Sequence, residues 1–132
     1  MKNKLEFQVQ YADTDAYGVV WHGAYLRWME QGRVEYLFER GIEIQKLQYE
    51  KNIVMPVVEL DIKYKMSAKL MDKIVLETSV IELSKTSVKF LQEISLKETG
   101  KICTSAVVRA TSLQNGKIMK NLDELLNGEV RE

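Results

Sequence analysis

Residues 24 to about 40 repeat their apolar side chains every three and four positions, and the segments on either side of them alternate instead. Tyr25, Trp28, Met29, Gly32 and Tyr36, with Leu26 and Leu37 beside them, trace a broad face of one long helix, and Gly41 follows as its C-cap. A helix this wide on its apolar side must be covered from several directions. Before it, residues 5–11 alternate strictly, with Leu5, Phe7, Val9 and Tyr11 set against Glu6, Gln8 and Gln10, which predicts a strand with one buried face. After a short helical stretch at 43–50, period 2 returns and persists. Val58, Leu60, Ile62 and Tyr64 share a face, as do Ile74, Leu76, Thr78 and Val80, then Val88, Phe90, Ile94 and Leu96, then Ile102, Thr104, Ala106, Val108 and Ala110.

The opposite faces carry Glu59, Asp61, Lys63, Glu77, Lys89, Glu93, Ser105 and Arg109, so the sheet is expected to be covered on one side only. Short breaks at 67–72, 84–85 and 98–100 suit antiparallel neighbours. A long helix inserted after strand one, followed by four strands able to wrap it, predicts an α+β fold with a five-stranded antiparallel sheet around one central helix. Gly32 in mid-helix costs about 1 kcal/mol against alanine, which predicts close approach to that sheet. Residues 121–126 are expected to form a short terminal helix.

With 132 residues, 45% of them hydrophobic, the chain suffices for one cored domain, taken as residues 1–132. Lys+Arg and Asp+Glu both number 19, so the positive field that collects phosphates in nucleic-acid binders is missing. The single cysteine, Cys103, cannot form an internal disulfide, and no apolar run reaches the 18 or so residues of a membrane span. The expectation is a soluble, cytoplasmic protein with no membrane insertion and no nucleic-acid partner. Zero formal net charge favours self-association.

The chemistry is concentrated between strand one and the helix, in Tyr11-Ala12-Asp13-Thr14-Asp15-Ala16-Tyr17-Gly18-Val19-Val20-Trp21-His22-Gly23-Ala24-Tyr25. This segment holds two carboxylates, the only histidine and a glycine free to adopt positive φ, and it runs into a helix N-terminus. Unpaired N–H groups at a helix start suit an oxyanion developing on an acyl carbonyl. A carboxylate beside them can attack that carbonyl or deprotonate a water that does.

Tyr11, Asp13-Thr14-Asp15, Gly18-Val19-Val20, His22, Tyr25, Glu30, Arg33 and Tyr36-Leu37 together resemble the signature of the 4-hydroxybenzoyl-CoA thioesterase-like hotdog family. The resemblance is strongest to the short bacterial acyl-CoA thioesterases associated with the Tol–Pal cluster. It is dense over about residues 5–40 and continues more loosely through Pro56-Val57-Val58-Glu59, Tyr64 and Ala68 to Asp72. What the resemblance implies is a hotdog fold and an acyl-CoA thioesterase. Asp15 would be the catalytic carboxylate and the His22 backbone N–H the oxyanion donor. Tyr17, Gly18, Val19, Trp21 and Tyr25 would border the substrate, Glu59 would approach a partner's site, and Lys65 and Lys69 would meet the CoA phosphates. Coenzyme A would enter only as part of the substrate, with no metal or other cofactor, and dimers formed through sheet edges would assemble into homotetramers. The chain departs from the family at Tyr17, where relatives often carry a smaller residue, and at Ser67, where many have proline. Lys69 stands alone in a turn that lacks a second arginine, and lysine binds phosphate as a point charge rather than a bidentate fork.

The residues also admit plainer roles. Asp15 is of a type favoured as a cap or loop residue, and Asp13 either tunes Asp15 by like-charge repulsion or is a solvated turn residue. The His22 imidazole would titrate near neutrality and is a rival general base. A metal set of Asp13, Asp15 and His22 lacks a second histidine and a recognised ligand spacing. Trp21, Trp28 and Tyr25 are core residues or an acyl pocket, Glu59 is a residue of the solvated face, and Cys103 is structural. Alternative functions are hydrolysis of an acyl chain on acyl-carrier protein and non-catalytic acyl-CoA binding. A hotdog dehydratase is disfavoured because His22 stands without the separate acid such sites need.

Overall fold

In a computed structural model that describes residues 2–130, the alternating segments form a sheet and the long apolar repeat lies across it. β1 (Asn3–Gln8), β3 (Val57–Tyr64), β4 (Lys73–Leu83), β5 (Ser87–Leu96) and β6 (Ile102–Thr111) pair antiparallel in the order β1-β4-β5-β6-β3. Register places like with like. Leu5, Leu76, Ile94, Thr104 and Tyr64 form one row across all five strands, and Val80, Phe90, Val108 and Leu60 form another across four. Such a register is specified because a slip of one residue would turn the whole apolar set to solvent.

α1 (His22–Phe38) lies on the apolar face, burying Tyr25, Trp28, Met29, Gly32, Tyr36 and Leu37. Gly32 explains itself there. A Cβ built on it would fall 2.7 Å from Leu76 Cδ2, 2.8 Å from Thr78 Oγ1 and 3.0 Å from Gln92 Nε2. Gln92 is fully buried although its strand face is otherwise apolar, and its polar atoms are satisfied from three sides. Nε2 donates to the Met29 carbonyl and to Thr78 Oγ1, while Oε1 accepts from Arg33 Nη1. Burial lowers the Arg33 guanidinium from its ordinary value.

α2 (Ile44–Lys51) closes on Asn52 in the left-handed region. β2 (Ile53–Val54), β7 (Leu113–Gln114) and β8 (Lys117–Ile118) form a small second sheet, its β7–β8 turn built on Asn115-Gly116, both at positive φ. α3 (Leu122–Val130) extends past the expected terminal helix. No helix among the described residues is long and apolar enough to cross a membrane.

Two boundaries move. The strand expected over 5–11 ends at Gln8, and residues Tyr11–Asp13 turn as a 3-10 helix because the Asp13 carboxylate caps the Gln10 N–H. The helix begins at His22, two residues earlier than the periodicity predicts, because its first turn packs too few apolar residues to register. β3 is an edge strand, and Val57, Val58, Leu60 and Tyr64 on it remain more than two-fifths exposed.

Candidate active site

The segment from Val9 to Tyr25 is tied down at almost every residue. Val9 exchanges backbone bonds with the 71–72 turn, donating to Asp72 O and accepting from Met71 N–H. Thr14 and Val20 then bridge, Asp15 N–H donates to Val19 O, and Gly18 N–H returns to Asp15 O, so residues 14–20 form a tight hairpin with Gly18 at φ 79°. Positive φ is why a glycine sits there. Val19 bridges Lys69, and Val20 N–H donates to Ala68 O, which seats the hairpin on the 65–72 loop. Asp15 therefore stands at the first corner of a turn whose geometry the backbone dictates. Its Oδ1 accepts only the Tyr17 N–H at 2.8 Å, and the carboxylate is otherwise exposed.

The hairpin leads into Trp21, whose backbone precedes α1 in an extended conformation and which offers no side-chain cap. By helix geometry the first-turn N–H groups point out of that end. Ala24 N–H folds back to Trp21 O, while His22 and Gly23 have no capping side chain. The Trp21 indole lies across Gly23, where a Cβ would run into its ring.

Asp15 and this helix end border one open cavity of about 290 Å³, lined also by Val19, Val20, Tyr25, Tyr64, Met66 and Ser67. Its wall is aromatic. The His22 ring stacks on Tyr64 with centroids 4.6 Å apart, Tyr64 meets Tyr25 at 5.7 Å, and Tyr25 meets Trp28 edge-on at 5.7 Å. Tyr25 Oη accepts the Ala68 N–H at 3.0 Å, and burial pushes both the Tyr25 and Tyr64 phenols above their ordinary values. These hydroxyls stay protonated. Among the described residues no hydrogen bond joins the His22 ring to Asp15, so the imidazole is held by stacking and not by a carboxylate.

Of the residues singled out in the sequence, Asp15, Val19, Trp21, His22 and Tyr25 line this cavity together. Tyr17, nine-tenths exposed at the hairpin tip, and Gly18 shape the turn without lining it. Glu59 pairs with Arg109 Nε at 3.3 Å across the β3–β6 ladder, away from the cavity. Lys65 and Lys69 flank the lining residues Met66 and Ser67 but do not line the cavity themselves. Asp13 is neither solvated nor turned toward Asp15. It is buried, with one oxygen on Gln10 N–H and the other on Arg27, which removes it from any metal set with Asp15 and His22. Among the described residues no group of three or more His, Cys, Asp or Glu is arranged around an ion. Trp28 is core, and burial pushes the Cys103 thiol up, with Asp72 adding to the effect.

Tyr64 was missed. It lies 42 residues from His22 on an edge strand, and the register that brings the two rings together has no local signature. Met66 and Ser67 follow it into the cavity for the same reason.

A five-stranded antiparallel sheet around one long helix is the hotdog fold. Residues 17–103 match the thioesterase superfamily, and the chain belongs to it. It is 35% identical over 111 residues to the acyl-CoA thioesterase YbgC of Haemophilus influenzae, a match spanning 84% of this chain and 80% of that one. Its fold superposes on the 1,4-dihydroxy-2-naphthoyl-CoA thioesterase of Synechocystis with TM-score 0.90 at 19% identity, covering 100% of this chain and 97% of that one. The 4-hydroxybenzoyl-CoA thioesterase of a Pseudomonas strain superposes with TM-score 0.85 at 19% identity, over 94% of this chain and 96% of the other. At such identity these two structures speak to fold. The family resemblance is confirmed by the superfamily match and by the Haemophilus influenzae relative.

Proposed function

We propose that the chain is one thioesterase domain across residues 1–132 that hydrolyses acyl-CoA to a free acid and CoA, with Asp15 as the reacting carboxylate. The observation that carries this reading is the meeting of the Asp15 carboxylate with the uncapped start of α1 across one cavity. The thioester carbonyl oxygen accepts the His22 N–H as it gains negative charge. Asp15 either adds to the carbonyl carbon, giving an anhydride that water opens, or takes a proton from a water that adds. In both routes the C–S bond breaks and the CoA thiolate leaves, to be protonated from solvent. No metal or other cofactor takes part, and the CoA moiety is part of the substrate.

The His22 ring enters through its stack on Tyr64 and shapes the acyl side of the cavity. Lys65 and Lys69, on the rim beside Met66 and Ser67, serve the CoA phosphates. The chain works in the cytoplasm as a homodimer paired through β3, whose free edge and exposed Val58 and Leu60 support that interface, and dimers assemble into tetramers. Because Tyr64 is on β3, the pairing sits beside the cavity.

The test is thiol release from a series of short, long, branched and aromatic acyl-CoAs and from the same acyl groups on acyl-carrier protein. Asp15→Asn, which keeps the side chain's size and loses its charge, is expected to lower turnover on the best acyl-CoA by at least about 10²-fold in a folded protein. Wild-type turnover in that variant, or preference for the carrier protein, overturns the reading.

A further inference from the structure

We infer that Asp13 and Arg27 form a brace that positions the Asp15 hairpin against the start of α1, an inference that rests on Asp15 being the reacting carboxylate. Asp13 is the only charged side chain buried among the described residues, 5% exposed. A carboxylate so placed needs a charged partner and hydrogen bonds on both oxygens, or it destabilises its surroundings. It has both. Oδ2 accepts Gln10 N–H at 2.9 Å, and Oδ1 accepts Arg27 Nη2 at 2.5 Å.

The backbone of the same residue does a second job. Asp13 N–H donates to Gln10 O, and Asp13 O accepts the N–H of Trp21, the residue that precedes α1. One residue thus closes the base of the hairpin through its carbonyl and reaches into the second turn of α1 through its carboxylate. Asp15 is two residues beyond it, beside the Thr14–Val20 bridge, and the proposed oxyanion donor is one residue beyond Trp21. The relative position of carboxylate and donor is therefore set by how residue 13 is held to α1.

Arg27 is not part of the cavity. It lines a separate groove of about 530 Å³ between β1 and α1, with Trp21 as the wall common to both. Neither Asp13 nor Arg27 lines the cavity that holds Asp15, so the pair acts through the hairpin and not on substrate. Arg27 and Asp13 are positioning residues.

Displacement of a reacting group by about 1 Å costs on the order of 10²-fold in rate, while ground-state binding of the CoA moiety depends on contacts elsewhere. Arg27→Met is expected to lower kcat about 10- to 100-fold with KM changed less than about threefold, measured well below the unfolding midpoint. Arg27→Lys, which keeps the charge, is expected to restore most of the loss. Asp13→Asn, close in size to the native residue, is expected to reproduce the kcat loss and serves alone if Arg27→Met does not fold. A lowered midpoint with wild-type kcat in Arg27→Met, or in Asp13→Asn where that alone folds, makes the pair merely structural and overturns the inference. So does raised KM at unchanged kcat. Asp15→Asn measured in parallel separates the two failures: if it is active, the reading of Asp15 fails, whereas an inactive Asp15→Asn beside a fully active Arg27→Met sinks the brace alone.

Discussion

Gly32→Ala sets two terms of opposite sign against each other, and the structure decides between them. Helix propensity alone favours alanine by about 1 kcal/mol in a helix interior. The new methyl would sit 2.7 Å from Leu76 Cδ2, 2.8 Å from Thr78 Oγ1 and 3.0 Å from Gln92 Nε2. None of these can withdraw cheaply: Leu76 is fully buried, Thr78 hangs on a central strand by a short side chain, and Gln92 is fastened to Met29 and Thr78. Overpacking of this kind costs about 1–3 kcal/mol. Displacing the Gln92 amide from its buried partners adds about 1–3 kcal/mol. Taking the middle of each range and subtracting the propensity gain leaves a net loss of about 3 kcal/mol. For a chain of this length that lowers the melting midpoint by roughly 10 °C. Thermal unfolding at one fixed protein concentration reads it directly, since an oligomer's midpoint depends on concentration. A midpoint equal to or above wild type would refute the reasoning, because it would mean that α1 does not approach β4 and β5 as closely as these distances state.

His22→Ala keeps the backbone N–H and loses only the stack on Tyr64, so its turnover on the best acyl-CoA should fall less than about 10-fold, well short of the Asp15→Asn loss; the reverse order would make the imidazole the base. Tyr25→Phe should lower the midpoint at neutral pH by leaving the Ala68 N–H without its acceptor. The Tyr25 phenol is held above its ordinary 10.0, burial being the largest cause, so the stability it contributes is complete below that value and is lost as the folded phenol ionises at higher pH. Midpoints between about pH 9 and 11 should therefore fall less steeply in Tyr25→Phe than in wild type, and an unchanged slope would count against it. Leu60→Glu on the exposed β3 edge should shift sedimentation toward a 15.3 kDa monomer, and an unaltered oligomer would move the interface elsewhere.

Much of the architecture is legible because its signals are local. Alternation from Leu5, Ile74, Val88 and Ile102 marks strands, since a buried sheet face needs an apolar side chain at every second position whatever it packs against. The three- and four-residue spacing of Tyr25, Trp28, Met29 and Tyr36 marks the helix in the same way. Asp15, Gly18 and His22 stand out because a tight turn running into a helix start demands particular residue types at short range. Asn115-Gly116 was equally legible as a hairpin turn and would have located the small second sheet.

Other features depend on residues far apart in the chain. Gln92 falls on an apolar face by period 2, and only the approach of α1, with the Met29 carbonyl and Arg33 at hand, makes a buried amide tolerable there. Asp13 reads as a charge tuning Asp15 or as a solvated turn residue until the fold brings Arg27 of α1 to it. Tyr64 joins His22 because β3 pairs with β6 at the sheet's far edge, a partner chosen by burial of the whole face and not by any residue near residue 64. Secondary structure and the hairpin that carries Asp15 follow from short-range sterics and periodicity, which the chain carries locally. The partners of Asp13, the wall of the cavity and the reason for Gly32 follow from which surfaces exclude water together, and that is settled only when the helix and sheet meet.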